Sequence, residues 1–557
     1  MSSLNILIGG ESFKELREHN YCYIDKTALL EEMLDRVPPK VSLITRPRRF
    51  GKTLALSMLN EFFDIRKDSQ QLFDGLKVSK NQKICAAWMN QYPTIFLTLK
   101  GIEGQIFAHA LEKFAIAISQ ICSEHAYLFN AACFDAEMRD SLQLLKNGQA
   151  TAARLEDALL LLCRAMEAYW NKPAILLIDE YDVPVNHAEQ KDYYDEMIGF
   201  MRNTLGAALK TNSSLKFAVL TGCIRIARES IFTGLNNFKC YGVSEALYAD
   251  KFGFTSAEVD ALLSEGGLAE RKTVIKEWYD GYRFGKGTEI YCPWDILQYV
   301  YDLQIDPDMK PQAYWKNTSS NAIVRTLINK SGPQTRSRVE KLIEGSSIEE
   351  YLTEDLTYDI VYSHESSIWS MLYLTGYLTK ASVQPDSGKT ALVIPNKEVR
   401  TIFTTTVAEW FRQSLAKRDL CPLAEALWNG DAATVQEMLK QILYGTISYY
   451  DSAENFYHGF LAGLLSGMGL DVESSQENGL GRTDIAIVDG LNSRAIIIEL
   501  KYAARYEDLE TKAEEGLKQI DERKYACGLP PQIRRVLKYG IAFWKKENAV
   551  RAGQSSR

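Results

Sequence analysis

Residues 41–63 read VSLITRPRRFGKTLALSMLNEFF. The first five are apolar enough for a strand covered on both faces, a short loop ending Gly51-Lys52-Thr53 follows, and LALSMLNEFF has helical spacing. A strand, a tight loop and a helix in that order aim backbone N–H groups and a helix N-terminus at a phosphate. Arg49 and Gly51 would line such a loop, Lys52 would reach the β- and γ-phosphates of ATP, and Thr53 would offer its hydroxyl to Mg²⁺. The first glycine of GxxxxGK[ST] is replaced by Arg46. Taken alone, GKT after a strand also fits a buried strand and an ordinary helix start.

A second stretch supports the same chemistry. Residues 174–178, AILLI, run directly into Asp179-Glu180, the arrangement an ATPase needs if Asp179 is to hold Mg²⁺ and Glu180 to polarise the attacking water. The plainer alternative is a buried strand with an acidic end. A further run, LKFAVLTG from Leu215, ends in Thr221-Gly222. Thr221 or Arg225 could sense the γ-phosphate or stabilise its transition state, although an arginine after a strand is more often a surface ion pair. With PTIFLTL from Pro93, these apolar runs alternate with longer amphipathic stretches such as residues 152–170. The rhythm predicts an α/β nucleotide-binding domain with a largely parallel sheet over residues 1–240.

Residues 241–445 turn predominantly helical and rich in aromatics, among them Trp278, Tyr282, Trp294 and Trp315. From 446 to 547 the periodicity predicts an αβββαβ order: an apolar helix, three short strands, a charged helix and a strand. Residues 548–557 read as a flexible tail.

The sharpest constellation lies in that last domain, in Glu477-Asn478-Gly479-Leu480-Gly481-Arg482-Thr483-Asp484 and Ile498-Glu499-Leu500-Lys501. Strand alternation puts Glu499 and Lys501 on one face. A hairpin turning at Gly490-Leu491-Asn492-Ser493 sets Asp484 opposite Glu499. Asp484 and Glu499 would then bind Mg²⁺ through hard oxygens, with the Leu500 carbonyl completing the shell. The metal would activate water against a phosphodiester, and Lys501 would orient that water or offset developing charge. Glu477 could be a further ligand or base, and Gln519 and Tyr525 could contact phosphate or support the site. The plainer reading is a cross-strand ion pair. The flanking IAIV and AIIIEL runs are apolar at nearly every position, however, and charges on a buried strand must be paired or bind metal.

With 557 residues, 46% of them hydrophobic and 24% charged, the chain has room for two to four domains with real cores. It shows no basic leader with a long apolar core and no run of about 18 uncharged apolar residues. Its ten cysteines fall in no CxxC pair or zinc spacing, which fits reduced thiols in the cytoplasm. A net charge of −8 means that nucleic acid must be met by local basic patches. From Asp451 to the end, 15 Lys and Arg face 16 Asp and Glu, so Lys512, Lys518, Arg523, Lys524, Arg534 and Arg535 could frame a backbone groove or only a solvated face.

FKELREHNYCYIDKT, RPRRFGKT, LLIDEYDVP, LTGCIRIARESIFTGLNN, WYDGYRFG, YCPWDIL, YWKNTSSN, LYLTGYLT, FYHGFLAGLL, ENGLGRTDIAI and IIIELKYA span nearly the whole chain. Together they resemble the bacterial AAA-ATPase-like proteins that carry a C-terminal PD-(D/E)XK nuclease-like domain. The resemblance implies a P-loop-type ATPase domain with a parallel sheet, a helical middle region and a restriction-endonuclease-like C-terminal domain. It implies that RPRRFGKT is the family's modified phosphate loop, so that Arg46 is a family trait. It also implies that Asp484, Glu499 and Lys501 occupy the nuclease motif positions and Glu477 the preceding acidic one; Ser475 stands where a further glutamate is expected. Asp25-Lys26-Thr27 looks like a signature without assignable chemistry.

The expected function is an ATP-binding protein coupled to a Mg²⁺-dependent nuclease acting on nucleic acid, DNA being the expected substrate. The competing reading is a nucleotide-regulated scaffold whose nuclease-like domain only binds nucleic acid or a partner. ATPases of this general type often form rings, but one sequence decides neither a homo-oligomer nor whether Arg225 or Arg228 acts across a subunit interface.

Overall fold

In the computed structural model, which describes residues 4–226, 231–232, 237–315, 324, 333–353, 355–356, 365–385, 387–415, 420–444, 454–478 and 481–556, the apolar runs of the N-terminal half become one sheet. Its strands are β1 (Val41–Thr45), β2 (Thr94–Thr98), β3 (Ala174–Asp179), β4 (Leu215–Gly222) and, after the two-residue β5 (Arg225–Ile226), β6 (Phe238–Tyr241). Their order is β2-β3-β4-β1-β6, and every neighbouring pair is parallel. β1 and β3 are buried at every residue, as a parallel sheet covered on both faces requires. From β1 the chain crosses to β2 on one side and later returns to β6 on the other. Ligand crevices in open α/β sheets form beyond the strand carboxyl ends at such a switch, and the loop 46–51 begins there.

The helix Lys52–Phe63 starts after Gly51, whose φ of 81° is a left-handed conformation that glycine adopts without strain. Its Leu56, Leu59, Phe62 and Phe63 share one core with Ile44, Ile175, Leu177 and Val219. Asp25-Lys26-Thr27 is a structural staple. Asp25 Oδ1 accepts from the Thr27 amide (2.9 Å) and hydroxyl (2.6 Å), Asp25 Oδ2 accepts from the Lys77 amide (2.7 Å), and Lys26 pairs with Glu258 at 2.6 Å. Thr27 makes no side-chain cap to the helix Ala28–Leu34.

The chain divides into two compact units, Met1–Ser320 with Glu349–Val399 and Asn321–Ile348 with Arg400–Arg557, so the stretch 241–445 contributes to both. That stretch is predominantly helical, with short strands between its helices. β7 (Phe254–Thr255), β8 (Tyr282–Phe284) and β9 (Thr288–Tyr291) form an antiparallel sheet in the order β7-β9-β8. The others are β10 (Ile348–Glu350), β11 (Asp355–Leu356), β12 (Thr379–Lys380) and β13 (Thr390–Val393); β11 runs parallel to β5 and β12 antiparallel to β13. Strands of two to four residues are too short to show a two-residue period.

The second unit holds the sheet β14 (Val472–Asn478), β15 (Gly481–Asp489), β16 (Arg494–Tyr502), β17 (Arg535–Trp544) and β18 (Glu547–Ser556), in that order. β16 and β17 are parallel, joined through the helix Leu509–Glu522, and the other pairs are antiparallel. Both faces of β16 are buried. Ile496, Ile498 and Leu500 pack with Phe460, Leu461 and Leu464 of the helix Glu454–Gly467, while Ala495 and Ile497 pack with Ile520 and Tyr525.

One expectation is corrected. Residues 548–556 are no tail: β18 pairs with β17 from Trp544↔Glu547 to Arg535↔Ser556, and Ala549 and Val550 are buried, so the order is αβββαββ; residue 557 lies outside the described residues. ENAVRAGQSS carries few apolar residues, and backbone pairing with the open edge of β17 holds it in place. Deleting residues 547–557 should destabilise the second unit by about 2–4 kcal/mol, from lost burial and an exposed strand edge. An unchanged urea midpoint for that unit would show the strand to be dispensable.

Candidate active sites

Four of the residues expected to handle nucleotide converge at the ends of β1, β3 and β4. Asp179 is fully buried; its Oδ2 accepts from the Thr53 hydroxyl at 2.7 Å and its Oδ1 from the Thr221 hydroxyl at 2.5 Å. Lys52 is buried and turned into its own loop, its Nζ donating to the Arg46 carbonyl at 3.0 Å and the Pro47 carbonyl at 2.9 Å, with Cys223 Sγ at 3.6 Å. Glu180 follows in a left-handed conformation, φ 53°, a strained setting for a non-glycine residue. Burial, and then the neighbouring Asp179 charge, hold its carboxyl above the usual carboxylate range. That direction suits a group meant to take a proton.

Other expected residues are placed differently. Arg49, φ 71°, is in the loop, but its guanidinium lies over the Trp294 ring, 4.1 Å from the centroid. Arg225 stands on β5, paired with Asp355 of β11. Arg228 lies outside the described residues. Arg46, at the missing-glycine position, points inward: fully buried, it donates to the carbonyls of Thr45, Tyr241, Gly242 and Tyr248 at 2.8–2.9 Å. Burial pushes its pKa down to about 10, so it stays charged at neutral pH. It ties the end of β1 to the end of β6 and the chain after it.

In the second unit the hairpin register is the one expected. Asp489 pairs with Arg494 and Ile485 with Ile498, which puts Asp484 and Glu499 one step beyond the last regular pair. There the ladder gives way, and Asp484 Oδ2 accepts from the Leu500 amide at 2.8 Å. His458 Nε2 lies 2.8 Å from the Asp484 carbonyl. Glu499 is buried; its Oε1 accepts from Lys501 Nζ at 3.0 Å and from Gln519 Nε2, and Gln519 also donates to the Tyr525 hydroxyl at 3.2 Å. Gln519 is thus hydrogen-bonded to Glu499, and Tyr525 to Gln519. Glu477 sits on β14 opposite Arg482, and its side chain lies outside the described residues. Two carboxylates of hard oxygen character fit Mg²⁺ in kind; among the described residues no group of three or more His, Cys, Asp or Glu side chains is placed to hold a metal.

Residues 7–232 match the family described as Predicted AAA-ATPase, AAA-ATPase-like, and residues 452–552 match the PD-(D/E)XK nuclease superfamily. The chain carries a AAA-ATPase-like domain and a PD-(D/E)XK nuclease superfamily domain. A protein of Azotobacter chroococcum mcd 1, described as "Uncharacterized protein in vnfD 5'region", is 24% identical over 564 residues, covering 99% of this chain and 98% of that protein. The loop 46–53, Asp179 and Thr221 all fall within the AAA-ATPase-like match, and Asp484, Glu499 and Lys501 within the nuclease match. Among the described residues no helix is long and apolar enough to cross a membrane.

Sequence reasoning missed a buried carboxyl pair in the first unit. Asp295 and Glu398 are almost wholly buried and close enough for each to act on the other's charge; Glu398 Oε1 accepts from the Trp315 amide at 2.7 Å. Burial raises both pKa values, and the Asp295 charge raises that of Glu398 further, so the pair keeps a proton at neutral pH. Cys292, Arg49, Tyr279, Tyr282 and Tyr314 are titratable groups that interact with it. Carboxyls with folded pKa values above their unfolded ones contribute stability that is complete below about pH 4 and is lost as pH rises through the raised values. Glu398→Gln, which keeps a donor toward Asp295 and an acceptor for Trp315, should flatten this loss and add about 1–3 kcal/mol at pH 9. Thermal midpoints from pH 5 to 9 check it, and an equal drop at every pH would show the pair to be ionised.

Proposed function

We propose that the protein binds and hydrolyses ATP at the loop 46–53 and uses this to control Mg²⁺-dependent cleavage of nucleic acid, DNA in the first instance, at Asp484, Glu499 and Lys501. The observation that carries the reading is the gathering of these three groups on one hairpin, at the point where its ladder breaks to let Asp484 accept from the Leu500 amide. Asp484 and Glu499 would hold the ion, whose chemistry is to acidify a bound water and polarise the phosphodiester. Lys501, already on Glu499, is placed to offset the charge that develops on phosphate. In the ATPase domain, Thr53 and Asp179 are in direct contact and can serve one ion. Lys52 has to leave the Arg46 and Pro47 carbonyls to meet the β- and γ-phosphates, and Glu180 would receive the proton of the attacking water. The ten cysteines are joined in no disulfide, which supports a cytoplasmic setting.

A second reading, a nucleotide-regulated scaffold that binds nucleic acid without cutting it, draws on the two-carboxylate character of the described site. Metal-dependent cleavage by wild type against Glu499→Gln, with and without ATP, separates the two.

A further inference from the structure

The turn that carries Asp179 grips more than a metal site. Thr221 gives its hydroxyl to Asp179 Oδ1 and its carbonyl to the Tyr181 amide, 3.1 Å. Beyond Gly222, the amides of Cys223 and Ile224 both donate to Asp182 Oδ2, at 2.9 and 3.2 Å. The Ile224 carbonyl accepts from the Tyr181 hydroxyl at 2.8 Å. Between them Gly222 leaves no room for a side chain, since a Cβ there would come within 2.6 Å of the Tyr181 ring and 2.7 Å of Asp182 Oδ1. Tyr181 and Asp182 are both buried. Directly after Ile224 the same stretch becomes β5, which runs parallel to β11.

We infer that Tyr181 and Asp182 are positioning residues that hold 221–226 as a rigid rail, so that a change of bonding at Asp179 and Thr221 is delivered to Arg225 and, through β5, to β11. The inference rests on the ATPase reading of this site. Asp179 and Asp182 belong to one short turn and hold consecutive parts of one segment. When the Thr221 hydroxyl is drawn from Asp179 toward a γ-phosphate, the segment cannot respond by local fraying, because its Cys223 and Ile224 amides are fixed to a buried carboxylate. It moves as a unit. A carboxylate buried this deeply is costly without donors, and these two amides are what offset that cost; an asparagine in its place keeps the volume and loses the charge.

The test uses the full chain as wild type, Asp182→Asn and Tyr181→Phe. A fluorescent ATP analogue should bind all three within about 3-fold, while kcat falls about 10-fold or more at unchanged KM. Amide hydrogen exchange at 223–226 should slow on addition of ATP and Mg²⁺ in wild type and not in Asp182→Asn. Arg225→Ala, costly in wild type, should cost little more in the Asp182→Asn background. ATP-dependent protection of 223–226 that is the same in wild type and Asp182→Asn, or a loss from Arg225→Ala that is equal in both backgrounds, overturns the rail. Should wild type bind the analogue while 223–226 ignores ATP, only the rail falls. Should wild type fail to bind it at all, the ATPase reading falls and takes the rail with it.

Discussion

Glu499→Gln should cut labelled DNA at least about 10³-fold more slowly than wild type. The substitution keeps shape and burial but removes the charge on which the site depends. In the wild type both Lys501 and Gln519 donate to Glu499 Oε1, so the carboxylate is held by two donors and aimed without freedom to rotate. An amide at this position holds a divalent ion poorly and leaves Lys501 without its counter-charge. Because Glu499 is packed beneath the helix Leu509–Glu522, an alanine would confound loss of chemistry with a cavity; the glutamine does not. Asp484→Asn should match it, since Asp484 Oδ2 already accepts from the Leu500 amide. Single- and double-stranded DNA and RNA, with Mg²⁺ or Mn²⁺ and with or without ATP, are the substrates and conditions to compare. Cleavage by wild type alone assigns the site, and its ATP dependence measures the coupling. Equal cleavage by both proteins removes Glu499 from the metal. No cleavage by either, with ATP still bound, moves the protein to the scaffold reading.

What the sequence carried was whatever depends on local pattern. The hairpin register followed from counting outward from Gly490 to Ser493, and the observed pairs Asp489↔Arg494 and Ile485↔Ile498 agree with that count. The parallel sheet followed from strands of nearly continuous apolar character. Two kinds of feature were not legible. β18 is held by pairing with a strand edge, which leaves no period in ENAVRAGQSS. Asp295 and Glu398 meet across 103 residues of chain, and a lone acid in a helix start reads as an ordinary surface group. Arg46 is an intermediate case. In the motif it stands out only as a replacement for the first glycine, and the carbonyls of Tyr241, Gly242 and Tyr248, nearly 200 residues on, reveal its structural role. Tyr181 and Asp182 lie inside LLIDEYDVP, beside the residues singled out for chemistry, yet nothing local says that they reach the Cys223 and Ile224 amides.

Lys52→Ala should abolish ATP turnover, by about 10³-fold or more, and weaken ATP binding by about 10²-fold. The argument turns on where the lysine points. With the first motif glycine replaced by Arg46 and that side chain committed inward to four carbonyls, the described loop has only two cations left beside Lys52, and one of them, Arg49, is stacked on Trp294. Lys52 is the one held at the loop's centre, between the Arg46 and Pro47 carbonyls and next to the Asp179 turn. Two neutral carbonyls are weak competitors for an ammonium against a triphosphate, so the observed contacts hold the side chain in place until nucleotide replaces them. Removing it leaves those carbonyls without a donor, and a fall in thermal midpoint worth about 1–2 kcal/mol is expected in the absence of ATP. ATP should raise the wild-type midpoint through binding and leave that of Lys52→Ala where it was. If the variant binds ATP as tightly as wild type, the phosphates lie elsewhere, and Asp179, Thr53 and Thr221 become a buried structural network rather than a nucleotide site.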